Sequence, residues 1–91
     1  MHVNGFVRLP GGGIELWVAR RSASKPTWPG RLDHIVAGGQ PAGMTLADNV
    51  VKECGEEAGV PPALAAAATP VGAVSYTSMQ DVGLKRDVLF C

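Results

Sequence analysis

The segment TLADNVVKECGEEAGVPP, residues 45–62, has the fewest ways to fold of any in this 91-residue chain. Apolar side chains at Leu46, Ala47, Val50, Val51, Cys54 and Ala58 recur at three- and four-residue intervals, the period of one face of an α-helix. Thr45 stands ahead of them as an N-cap, with Asp48 in capping-box spacing and near the positive end of the helix dipole. Gly59 offers a left-handed C-terminal cap. Pro61 and Pro62 cannot extend the helix but suit the first turn of a second, alanine-rich one. The pattern predicts a helix from Leu46 to about Ala58 with that apolar face, including Ala58, turned inward.

Around this helix the chain reads as strands. HVNGFVRLP and IELWVARR flank a GGG turn and predict a hairpin, SASKPTWPG (residues 22–30) is a loop, and LDHIVAGG returns to a short strand ending at Gly38 and Gly39. After the second helix, PVGAVSYTSM and LKRDVLF predict two strands about a QDVG turn. The expected fold is α/β, a mixed β-sheet with the helix packed on it, forming one domain over residues 1–91.

Eight basic and eight acidic side chains cancel, leaving no broad positive field for a nucleic-acid backbone or an anionic membrane, so neither is expected as a partner. No stretch has the form of a signal peptide or approaches the ~20 apolar residues of a membrane span, and the expectation is a soluble, cytoplasmic protein. Cys54 and Cys91 lack paired CxxC spacing, and Cys54 is expected to be inert packing. The chain starts in strand-like residues and stops inside an apolar run. A fragment of a longer protein is expected, incomplete at the C-terminus, with an exposed strand edge that favours self-association and with little activity of its own.

Glu53, Glu56 and Glu57 stand at i, i+3 and i+4, on one side of the helix and beside its apolar face. A solvated face is the commonest reading of such a triplet. Here the like charges sit at the core boundary with only Lys52 at hand, and a hard divalent cation shared between close carboxylates and substrate phosphates would relieve their repulsion.

Gly38, thirteen residues, then KECGEEAGV resembles the Nudix box over residues 38–60. Gly38, Glu53, Glu56, Glu57, Gly59 and Val60 match that pattern, and Cys54 is an apolar substitute within it. Met44 replaces its first glutamate and Lys52 its arginine, two positions that support the loop and helix structurally in the family. The resemblance implies a Nudix fold and a pyrophosphohydrolase using Mg2+, or Mn2+ in its place. It implies Glu53, Glu56 and Glu57 as metal ligands with the Ala37 carbonyl beside them, and Glu56 or Glu53 as the base that activates water. Gly38, Lys52 and Gly59 are then structural members of the box. The three carboxylates are expected close together and accessible, facing a groove beside the AGG loop.

A narrower resemblance runs through HVNGFVR, LWVARRSASKPTWPGRLDHIVAGGQPAG, VGAVSY and GLKRDVLFC, which are similar to the Nudix subgroup allied to thiamine pyrophosphokinase. It implies a small-molecule diphosphate substrate, thiamine diphosphate or its oxidised analogues, and a covalent neighbour domain. Arg20, Arg21 and Lys25, with Lys85 and Arg86 from the last hairpin, are candidates for phosphate binding, and Trp28 for stacking on a heteroaromatic ring. Paired arginines at a strand end are more often solvated, Trp17 in an alternating strand reads as core, and His34 among apolar neighbours reads as a satisfied core histidine. Asp33 is expected to accept a hydrogen bond from the loop. A hydrolase of ADP-ribose or another nucleoside diphosphate, and a catalytically inert Nudix-like module, remain alternatives. An isomerase of the same fold would need a catalytic cysteine context that neither Cys54 nor Cys91 has.

Overall fold

Helix α1 forms at Leu46–Ala58, and both of its ends are closed by the residues its sequence offers. The Thr45 side chain accepts a hydrogen bond from the Asp48 amide at 3.1 Å. Gly59 adopts the left-handed conformation at φ 62°, where its amide reaches the Gly55 carbonyl at 3.2 Å while Val60 reaches that of Cys54 at 3.1 Å. These bonds satisfy backbone groups that a helix end otherwise leaves open. A short helix α2 follows at Pro62–Ala65.

The structure, a computed structural model, describes residues 1–91. The strands are β1 (His2–Val3), β2 (Gly5–Arg8), β3 (Ile14–Arg20), β4 (Leu32–His34), β5 (Val36–Ala37), β6 (Ala73–Gln80) and β7 (Gly83–Phe90). The first predicted strand breaks at Asn4 and the third at Ile35, and those breaks let one pair of segments serve two sheets. β1 pairs with β5, while β2, β3 and β4 form a second sheet. β6 and β7 form a third around Asp81 and Val82. All four ladders are antiparallel, so the elements are those of an α/β chain, but they form three small sheets instead of one.

The core lies where α1 crosses β5. Val36 and Cys54 are buried there with Met1 and Ala65, and Val3, Ile35, Val50, Val51 and Val60 pack around them. Leu46, Ala47 and Ala58 are exposed, so the inward stripe of α1 is narrower than its periodicity predicts: β5 is two residues long and covers only the middle of the helix. Trp17 is also not core, being 63% exposed on β3.

The accessible surface is 6910 Å2, against roughly 5,000 Å2 for a compact monomer of this mass. The β6–β7 hairpin makes no extensive contact with another element, and Leu16, Leu32, Val74, Leu84 and Val88 stay exposed on the sheets. No helix is long and apolar enough to cross a membrane.

With so small a core, the helix caps carry a large share of local stability. Thr45→Ala is expected to cost about 1 kcal/mol, read as a lower urea midpoint at unchanged m-value.

Candidate functional site

The site is built on the contact between α1 and the Ala37–Gly38 backbone. A Cβ placed on Gly38 would lie 2.5 Å from the Glu53 Cδ and 2.6 Å from its Oε2, so a side chain at position 38 would push the Glu53 carboxylate out of this place. One turn further along the helix, Glu57 Oε2 accepts a hydrogen bond from the Ala37 amide at 3.0 Å. Met1 and Gly38 exchange their backbone hydrogen bonds, at 2.7 and 3.0 Å. Ala37, opposite His2, is then the alternate position of the ladder, with both its N–H and its C=O turned away from β1. The Ala37 carbonyl therefore lies on the edge where Glu57 docks.

Lys52 completes this edge. Its Nζ donates to Glu56 Oε2 at 2.7 Å and to Glu53 Oε1 at 3.2 Å, and those two carboxylates raise its pKa above the usual lysine value, Glu56 first. The Glu53 side chain is only 15% exposed, whereas that of Glu56 is 60% exposed. The expected convergence of the three carboxylates is not what forms. Glu53 and Glu56 share Lys52 as donor, Glu53 lying also against Gly38, while Glu57 bonds the Ala37 amide instead. Cys54, between them, is buried; burial first, and then the Glu57 charge, push its thiol pKa up, in keeping with packing.

The loop from Gly39 to Met44 lacks the glutamate of the box pattern and is held by amides instead. Fully buried Asn49 donates from Nδ2 to the Gly39 carbonyl at 2.8 Å and to Gln40 Oε1 at 3.0 Å. Gln40 Nε2 in turn donates to the Met44 carbonyl at 2.7 Å. The Asn49 Oδ1 is buried without a protein partner. Neither Asn49 nor Gln40 is singled out by the sequence pattern, although Asn49 sits one helical turn before Glu53, where a side chain facing the loop was to be expected.

A second feature is a cleft of about 510 Å3 lined by Arg21, Thr27, Trp28, Arg31, Leu32, Asp33, Gln80 and Lys85. It brings Trp28 and Lys85 together, as phosphate and ring binding would require, but it uses Arg21 differently. The Arg21 guanidinium donates to the Thr27 and Trp28 carbonyls and, at 3.0 Å, to Asp33 Oδ2, so its donors are spent on holding the loop. Arg20 likewise donates to the Gly30 carbonyl. Both are loop supports in this structure, while Lys25 and Arg86 are exposed and do not line the cleft.

The cation missed by sequence reading is Arg31, whose guanidinium sits 5.8 Å from the Trp28 ring centre. Trp28 is 70% exposed and has φ 52°, a left-handed conformation rare for an aromatic residue. Arg21 bonds hold it there.

His34 is exposed, not a core histidine. Its Nδ1 meets His2 Nδ1 at 2.9 Å, a pairing invisible in sequence because 32 residues separate the two. Asp33 does accept a hydrogen bond from the loop side, from Arg21. Burial pushes the Asp33 carboxyl up, but hydrogen bonds from Arg21 and the His34 amide outweigh it and hold the pKa below the usual aspartate value.

No protein-family profile matches the chain. Among curated proteins, it is 53% identical over 91 residues to the Arabidopsis thaliana protein named Nudix hydrolase 20, chloroplastic, covering 100% of this chain and 24% of that protein. It is 50% identical over the same length to Nudix hydrolase 24, chloroplastic, of the same organism, with 25% of that protein covered. An uncharacterized protein of Saccharomyces cerevisiae is 44% identical over 59 residues, 64% of this chain and 17% of the yeast protein. The chain thus spans about a quarter of the length of the two plant relatives. Identities of 50–53% over the whole chain support its place in the Nudix family.

Because Gly38 admits Glu53 only for want of a Cβ, Gly38→Ala is expected to destabilise the fold by about 1–3 kcal/mol through overpacking. Gly39→Ala, whose added Cβ meets nothing within 4 Å, should cost less than about 0.5 kcal/mol. Urea unfolding of the two variants side by side checks the difference.

Proposed function

From its whole-length likeness to two proteins named Nudix hydrolases, we propose that this chain carries the metal-binding edge of a Mg2+-dependent pyrophosphohydrolase of that family acting on a small-molecule diphosphate. The observation that carries this reading is the seating of Glu53 on Gly38 with Glu57 docked on the Ala37 amide. The donor set there is all oxygen, two carboxylates and a backbone carbonyl, and it fits a hard cation such as Mg2+ or Mn2+. Glu53, Glu57 and the Ala37 carbonyl would hold the ion. When bound, such an ion neutralises diphosphate charge and lowers the pKa of a coordinated water.

The chain's own residues do the rest. Glu56, its side chain 60% exposed, accepts a proton from the attacking water once Lys52 swings off its Oε2. Water oxygen bonds to one phosphorus, the bridging oxygen leaves with the other, and two monophosphate products result. Lys52 then has a second task, balancing Glu53 and Glu56 when no cation does.

Thiamine diphosphate, or an oxidised analogue of it, is the substrate class we favour. Trp28 offers an aromatic face for its rings, and Arg31 and Lys85, the latter ion-paired with Asp87 at 3.1 Å, line the same cleft with charge for phosphate. Asp33 on the cleft wall and Ala37 at the glutamate edge are four residues apart on one nearly continuous strand, at most roughly 14 Å. A ring-bearing diphosphate spans such a distance. A second reading, an inert Nudix-like module, is favoured by the Lys52 ion pairs, which satisfy Glu53 and Glu56 without a metal.

Glu57→Gln keeps shape while removing a charge, and in the full-length protein it should lower Mg2+ affinity and turnover at least about tenfold with little change in thermal midpoint. Unchanged phosphate release rejects the ligand role, whereas no release from the unmodified protein favours the inert module. Trp28→Ala should weaken thiamine-type diphosphates by about 1–2 kcal/mol and leave a plain nucleoside diphosphate unaffected; equal losses on both would mark Trp28 as structural.

A further inference from the structure

We propose that His2, His34 and Asp33 form a second cation site, selective for a borderline transition metal such as Zn2+ and tying β1 to β4. The two histidines come from different sheets, yet their Nδ1 atoms are 2.9 Å apart and their rings cross edge to face at 88°. Asp33 Oδ1 lies 3.6 Å from the His34 Nδ1, and one ligand atom from each of the three residues falls within 4.8 Å of the others. Two nitrogens bound to one Zn2+ at about 2.0–2.1 Å stand roughly 3 Å apart, so the histidine pair already has the spacing of a shared ion.

In the absence of a cation one ring must donate N–H to the other. Zn2+ takes the place of that proton as the donor ring changes tautomer and carries its N–H on Nε2 instead, so a neutral pair binds the ion with no net loss of a proton.

The neutral imidazole is the form in which either ring binds a metal. Arg21 keeps Asp33 ionised and, by bonding Oδ2, fixes the carboxylate with Oδ1 toward His34. Such hydrogen bonds orient a ligand before the metal arrives.

The nitrogen donors set the selectivity. Imidazole suits Zn2+, Cu2+ and Ni2+, whereas Mg2+ prefers the all-oxygen edge on α1. His2 and His34 have no part in the diphosphate reading, so either proposal can fail without the other.

The test is calorimetric titration of the metal-free chain with Zn2+ at pH 7 in millimolar Mg2+. One equivalent is expected to bind, with affinity lowered at least about tenfold by His2→Ala and by His34→Ala, and unchanged by Cys91→Ser. Co2+ in place of Zn2+ should give visible absorption without the sulfur charge-transfer band of a thiolate ligand. In the unmodified chain, Zn2+ should shift the ring Nδ1 resonances of both histidines, a readout that needs no variant to fold. Static histidine resonances, binding that survives both alanine variants, or binding lost in Cys91→Ser would each overturn the proposal.

Discussion

Everything in the candidate active edge depends on how closely α1 approaches β5. The Glu53 side chain occupies the space a Cβ on Gly38 would take, so helix and strand backbone meet closely at this point. Cys54 is turned into the core against Val36, while Glu56 faces solvent and Glu57 meets the Ala37 amide. One missing methyl group thus leaves room for the Glu53 carboxylate at the core boundary. A cavity or an overpacked contact here would move a carboxylate and a core residue together, since interiors packed to crystal-like density transmit strain.

The same economy explains how the loop tolerates Met44. A carboxylate at that position is absent, and the Gly39–Met44 segment is instead tied by the Asn49 and Gln40 amides. Asn49 is fully buried, and its hydrogen bonds are worth more in that setting than on the surface. On the other side of the molecule Arg21 does comparable service, gathering Thr27, Trp28 and Asp33. Its multiple donors in a rigid fork make arginine suited to holding an irregular loop.

Much of this was legible in the residues. Thr45, Gly59 and the two prolines marked α1 to the residue, because capping is local chemistry that needs no tertiary partner. The glutamate triplet and Gly38 marked the edge, since the spacing of a motif survives folding. What could not be read was anything set by pairing across the chain. The contact of His2 with His34 and the docking of Glu57 on the Ala37 amide arise from register and from breaks at Asn4 and Ile35. Trp17 misled for the same reason: alternation in β3 gives two faces, and nothing in the segment itself says that neither is covered.

The account rests on the Ala37–Gly38 backbone and the Glu53–Glu57 stretch sharing one cation, and Mn2+ tests that most directly. Substoichiometric Mn2+ added to the isotope-labelled chain broadens amide resonances near the ion. The account predicts broadening centred on Ala37, Gly38 and residues 53–57, relieved by excess Mg2+. Broadening centred elsewhere, on Asp81 or Asp87 for example, or none that Mg2+ relieves, would contradict it.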